Sequence, residues 1–169
     1  TLDAAGACID SNTVTGKQSA IHISGPGYSN AQNNNNIISN NVVTSSTNDG
    51  IDVVGSGNTI DSNTVSNSQY YSGFSFDSRS HNNIITNNVA NNNAQYGFEF
   101  EDGSDVASHT FTGNTASGNN SGDFEGISTL TPTCFPSSGY SILVPGDQTW
   151  STLGELPLVP VTSQHVMFN

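Results

Sequence analysis

Apolar and polar positions along this chain follow one phrase that recurs roughly every two dozen residues. It reads Ile9-Asp-Ser-Asn12-Thr-Val14, Ile37-Ile-Ser-Asn40-Asn-Val42, Ile60-Asp-Ser-Asn63-Thr-Val65, Ile84-Ile-Thr-Asn87-Asn-Val89 and Phe111-Thr-Gly-Asn114-Thr-Ala116. Aligned on Asn12, Asn40, Asn63, Asn87 and Asn114, the steps are 28, 23, 24 and 27 residues. A second phrase keeps step with the first: Ala20-Ile-His-Ile23, Gly50-Ile-Asp-Val53, Gly73-Phe-Ser-Phe76 and Gly97-Phe-Glu-Phe100. Its alternation predicts strands with Ile21, Ile23, Ile51, Val53, Phe74, Phe76, Phe98 and Phe100 pointing inward. Asn, Ser and Gly clusters between the phrases supply turns. Self-similarity at this period predicts a stacked solenoid, an all-β parallel β-helix of about five coils with rungs about 4.8 Å apart.

The recurring Asn has a structural purpose. Asn tolerates the left-handed backbone of a bend, and its amide can bond the same residue one rung away. These residues are therefore assigned to architecture rather than chemistry.

The pattern ends near Asn120, and five of the six prolines follow it: Pro132, Pro136, Pro145, Pro157 and Pro160. Pro cannot donate to a sheet ladder, so this tail cannot continue the coils as a central strand. Residues 1–127 are read as the β-helix, with Asp123-Phe-Glu-Gly-Ile127 as a last, broken copy of the second phrase. Residues 128–169, with Trp150 and Met167, are read as a C-terminal cap or docking segment covering the open end of the sheet. The stretch before Cys8 is too short for a capping helix, so the N-terminal face is expected to be bare or to meet a neighbouring subunit. A head-to-tail contact of that kind builds a filament. Cys8 and Cys134 lie toward opposite ends, which suits a disulfide between neighbours, while two free thiols or a bond within the chain remain open.

Composition narrows the partners. Two cations, Lys17 and Arg79, face 14 acids in 169 residues, for a net charge of −12. Nucleic acid and anionic membrane surfaces are excluded as partners on this balance. No apolar run is long enough to insert into a membrane as a helix. Few charges and cysteines and many Asn, Ser and Thr point to an extracellular, cell-surface or virion-surface protein.

With these repeats, residues 8–125 resemble the pectin-lyase-like superfamily of right-handed parallel β-helices. The resemblance implies a right-handed coil and leaves activity open, because that superfamily holds lyases, hydrolases, epimerases, tailspikes and non-catalytic surface proteins. Thr47-Asn-Asp-Gly-Ile-Asp-Val53 is similar to a stretch of the polygalacturonase-like hydrolases. There an Asp pair and a His-Gly complete the site one and two coils later. Here those positions read Tyr71-Ser72 and Tyr96-Gly97, so the acid and base that flank a scissile bond are incomplete.

The outward file of the second phrase is His22, Asp52, Ser75 and Glu99, followed two residues on by Ser24, Val54, Asp77 and Glu101. Asp77, Glu99, Glu101 and Arg79 are the candidate catalytic residues of a lyase or epimerase, with Arg79 as base. Asp77, Glu101, Asp102 and Asp105 are the candidate Ca²⁺ ligands, since clustered carboxylates call for a cation. The competing account is a solvated acidic face with Arg79 as counter-ion, requiring no cofactor. His22, His81, His109 and His165 lack metal-ligand spacing. Asn119-Asn-Ser121 matches the glycosylation acceptor pattern. Thr13, Asn41, Thr64, Asn88 and Thr115, beside Thr15, Val43, Ser66, Ala90 and Ser117, would form a small-residue surface, with ice binding as a minor alternative. The expected function is a non-catalytic structural or adhesive module that assembles end to end and carries or binds carbohydrate. The alternative is a polysaccharide-active enzyme at the acidic face.

Overall fold

In the computed structural model, which describes residues 5–23, 34–102 and 105–127 and the backbone of 140–143 and 150–153, each repeat is a coil of three short strands. The first coil holds β1 (Cys8–Asp10), β2 (Thr13–Thr15) and β3 (Ile21–Ile23). The second holds β4 (Ile37–Ser39), β5 (Val42–Thr44) and β6 (Ile51–Val53), and the third β7 (Thr59–Asp61), β8 (Thr64–Ser66) and β9 (Phe74–Phe76). The fourth holds β10 (Ile84–Thr86), β11 (Val89–Asn91) and β12 (Tyr96–Phe100), and the last β13 (Thr110–Thr112), β14 (Thr115–Ser117) and β15 (Gly122–Glu125). Equivalent strands stack in parallel into three sheets, each five strands deep. The first sheet runs β1-β4-β7-β10-β13, the second β2-β5-β8-β11-β14 and the third β3-β6-β9-β12-β15.

The first phrase is thus two strands, not one, broken by a sharp bend. Ser11, Asn40, Ser62 and Asn87 hold that bend with φ of 58°, 54°, 57° and 56°. The residue after each is the ladder Asn. Asn12, Asn41, Asn63, Asn88 and Asn114 pass one side-chain amide bond from rung to rung at 2.9–3.0 Å. The alignment on Asn40 and Asn87 is therefore corrected by one residue, and the steps become 29, 22, 25 and 26. The physical reason is period-two burial, because a slip of one residue sends each side chain to the other face. Ile38 and Val43 are fully buried, whereas Ile37 and Val42 are 47% and 42% exposed. Two apolar residues in a row hid which one faced in.

Inside, four files of apolar side chains run along the axis. The third sheet contributes Ile21, Ile51, Phe74, Phe98 and Phe124, and beside them Ile23, Val53, Phe76 and Phe100, as the alternation predicts. Phe74 and Phe98 stack at 4.6 Å and Phe76 and Phe100 at 4.7 Å, with Phe111 edge-on to Phe98. The second sheet answers this bulk: Val43 and Val65 give way to Ala90 and Ala116 where the third sheet carries Phe98 and Phe124. Gly73 completes the fit. A Cβ there would lie 2.7 Å from Asn93 Nδ2 and 2.8 Å from the Gly97 carbonyl oxygen.

Two more polar ladders line the other corners. Asn36, Asn58 and Asn83 hand their bonds down to the Nδ1 of His109, and Asn93 hands its bond to Asn119, which ends on Asp123. His109 is thus a buried corner residue. From the first sheet to the second the spacing is a constant five residues, Ile9 to Val14 through Phe111 to Ala116. From the third sheet to the next coil it ranges from nine residues, Ile51 to Ile60, to 17, Ile21 to Ile38.

β16 (Tyr140–Leu143) and β17 (Trp150–Leu153) pair antiparallel in a sheet of their own. The rest of the cap or docking segment lies outside the described residues, as does Cys134. The disulfide expectation falls there too, and Cys8 is an exposed thiol on β1.

Candidate functional site

The chemistry-bearing groups collect on the outer surface of the third sheet. Register places His22, Asp52, Ser75, Glu99 and Glu125 in one file. Strand alternation turns them outward because their neighbours fill the core. His22 Nδ1 lies 2.7 Å from Asp52 Oδ2, and this bond, more than any other influence, raises the imidazole pKa above its ordinary value.

Beside this pair the corner before β6 brings in Asp49. Its Oδ1 accepts the Ser72 N–H at 2.9 Å. Burial, followed by the charge of Asp52, pushes its carboxyl up to about 7. Ser72 links the coils, since its hydroxyl donates to Glu99 Oε2 at 2.6 Å and accepts the Tyr96 N–H at 3.1 Å. Gln18, Ser19, His22, Asn48, Asp49 and Asp52 line a cleft of about 320 Å³. One rung below, the chain entering Ser72 presents Tyr70 and Tyr71, 67% and 46% exposed. At the far end of the file, burial raises the Glu125 carboxyl, and Glu99 adds to the rise.

The arrangement offers amides, a hydroxyl, an imidazole and carboxylates around one cleft, with two phenol rings exposed on the next coil. Such a set recognises a polyhydroxylated ligand through paired hydrogen bonds and ring stacking. Asp49, its carboxyl pushed up to about 7, also stands as a weak acid beside the Asp52 carboxyl. The places where a hydrolase would carry an Asp pair and a His hold Ser72 and Tyr96, which here bond Asp49, Glu99 and each other.

The residues singled out from sequence are divided by the structure. Glu99 joins the Ser72 network. Asp77 and Glu101 stand one rung apart as expected, on the bonds Asp77 N–H to Val53 O and Glu101 N–H to Phe76 O. Arg79 grips Asp77 through Nε at 2.6 Å and Nη2 at 2.7 Å, which holds that carboxyl below its usual range. A guanidinium clasped in this way stays protonated, so Arg79 fits the counter-ion account better than a base. Burial, then the charge of Asp77, raises Glu101. Among the described residues no three His, Cys, Asp or Glu side chains converge as metal ligands, and this includes Asp77, Glu101, Asp102 and Asp105. Asn119 uses its amide nitrogen on Ala90 O and Asp123 Oδ1, so a glycan there would break the corner ladder.

The surface of small residues also changes. With the register corrected, the second sheet points Thr13, Val42, Thr64, Val89 and Thr115 outward beside Thr15, Thr44, Ser66, Asn91 and Ser117. Asn41, Val43, Asn88 and Ala90 turn inward instead. Sequence reasoning gave Ser72 no role beyond a missing Asp. Its position before Gly73, matching Asp49 before Gly50, was the signal.

A family model described as a right-handed beta helix region matches residues 2–142. No curated protein and no solved structure matches the chain. Handedness and coil architecture accord with the pectin-lyase-like resemblance. With most of its length matched, the chain belongs to the right-handed β-helix family.

Proposed function

We propose that this β-helix is a non-catalytic extracellular module that binds carbohydrate on its third sheet. The observation that carries the reading is the 320 Å³ cleft at His22, Asp49 and Asp52, with Tyr70 and Tyr71 exposed on the next coil. Amide and carboxyl groups take sugar hydroxyls as donors and acceptors, and phenol rings stack on the apolar faces of pyranoses. Acidity directs the choice of sugar. A face carrying Asp49, Asp52, Glu99 and Glu125 repels uronates and suits neutral chains. Sparse charge and abundant Asn, Ser and Thr support a surface or secreted setting.

The test is binding to a printed panel of neutral and uronate oligosaccharides near pH 6. Binding confined to neutral sugars, and weakened by Tyr71→Ala and Asp52→Asn, is the expected result. Silence across the panel refutes the reading. Release of reducing ends or unsaturated uronate from any panel member would replace it with the enzymatic alternative.

A further inference from the structure

The two carboxylates that line the cleft, Asp49 and Asp52, and Glu99 further along the file are not equally supported, and that asymmetry decides where a proton resides. Asp52 has the His22 imidazole at 2.7 Å. Glu99 has the Ser72 hydroxyl at 2.6 Å. Asp49 has the Ser72 backbone N–H, in the corner before β6. Of the other charged groups on the packed elements, His22 on β3 and Asp52 on β6 line the cleft, while Glu99 on β12 stands two coils along the file, beyond the uncharged Ser75 of β9. Glu101 and Glu125 lie further along the same face, and Lys17 belongs to the corner preceding β3.

We propose, resting on the carbohydrate reading, that this cleft is a proton-operated binding site: protonated Asp49 donates a hydrogen bond to a ligand hydroxyl, and its ionisation beside Asp52 expels the ligand. The proton passes to solvent, and no covalent bond changes. Ionisation removes the Asp49 O–H as a donor in the cleft. It also adds a charge next to Asp52 that a docked neutral sugar would have to strip of water. Burial of Asp49 and its acidic neighbours puts this change near neutrality, at about 7. The His22–Asp52 pair works in the same direction, because its imidazolium, which balances Asp52, is lost as pH rises.

The experiment repeats the panel of neutral β-glucan, mannan and N-acetylglucosamine oligosaccharides at about pH 5.5 and about pH 8, where a group near 7 changes its protonation by more than tenfold. Wild-type protein, Asp49→Asn and His22→Gln are compared, with the Asp49 carboxyl carbon titrated by NMR in the absence of sugar. An affinity that falls about tenfold with pH in wild type, falls far less in Asp49→Asn, where only the His22–Asp52 pair still titrates, and falls nearly as much as wild type in His22→Gln supports the proposal. Equal wild-type affinity at both pH values overturns the gating and leaves the carbohydrate reading standing. Normal acidic titration of Asp49 overturns the gating as well, whatever binds. Failure of every protein to bind at either pH refutes the carbohydrate reading and the gate together.

Discussion

Removing one amide from the middle of the Asn ladder should cost several times more than removing one from its end. Asn63 accepts from both the backbone N–H and Nδ2 of Asn41, at 3.0 and 2.9 Å. Its own Nδ2 donates to Ile38 O and Asn88 Oδ1. Asn63→Ala keeps the backbone bond to Asn88 Oδ1 but leaves the Asn41 N–H buried without its acceptor. An orphaned buried donor costs about 1–3 kcal/mol, and each lost net bond about 0.5–1.5 kcal/mol. Together these give about 3–5 kcal/mol, a large share of the roughly 5–15 kcal/mol that stabilises an ordinary domain. Asn12→Ala removes the same side chain from an exposed rung, where water takes its place, and should cost about 1 kcal/mol or less. Urea unfolding followed by far-ultraviolet circular dichroism near pH 6 gives both values. Penalties that agree within about 1 kcal/mol would refute the idea that the ladder stabilises through burial.

Further predictions concern packing and pH. Gly73→Ala should destabilise by at least about 1–3 kcal/mol, because its Cβ meets a backbone carbonyl that cannot move aside; an unchanged melting temperature would contradict this. Phe98→Ala should cost about 3–5 kcal/mol by denaturant titration, since it removes a ring stacked on both Phe74 and Phe124. Asp49 is protonated in the fold and ionised in the unfolded chain between pH 3.8 and about 7, so its contribution to stability falls as pH rises through that window. At about 1.4 kcal/mol per pH unit the ceiling is about 4 kcal/mol, and partial solvent contact reduces this to about 1–2 kcal/mol. Asp49→Asn should therefore gain stability over wild type at pH 8 and not at pH 4, read from paired melting curves. His109 has the opposite sign: burial lowers it from 6.5 to about 4, so the fold loses stability as pH drops through that range. His109→Asn, which restores the residue type of its ladder, should flatten the acid limb of the stability curve, and an unchanged limb would count against the assignment.

The coil architecture was legible because burial repeats. Phe74, Phe76, Phe98 and Phe100 alternate with polar residues, so their direction follows from the chain alone. The first phrase was harder to read. Ile37-Ile38 and Val42-Val43 offer two apolar candidates for each inward place, and only stacking against Ile60 and Val65 chooses between them. Asn40-Asn41 compounds the ambiguity, since one residue takes the left-handed bend and its neighbour the ladder. At the site, the file His22, Asp52, Ser75, Glu99 followed from alternation. The role of Ser72 did not, because it depends on a corner whose depth below Asp49 is set by neighbouring coils. The sequence leaves Arg79 open as base or counter-ion for a similar reason: its Asp77 clasp spans only two residues but needs the turn after β9 to close.

The uneven spacing between coils has an evolutionary consequence. The bend between the first and second sheets is held to five residues in every coil, so an insertion there would break a ladder and shift a core file. The corner after the third sheet already accommodates spans from nine to 17 residues while the rungs keep their register. Length variation can accumulate at that corner at little cost to the stack. It borders the face that carries His22, Asp52 and Glu99, so loops can diversify around the cleft while the scaffold stays constant. The division separates a spine of fixed length from an adaptable rim, and grafted segments should be tolerated at that rim before anywhere else in the coil.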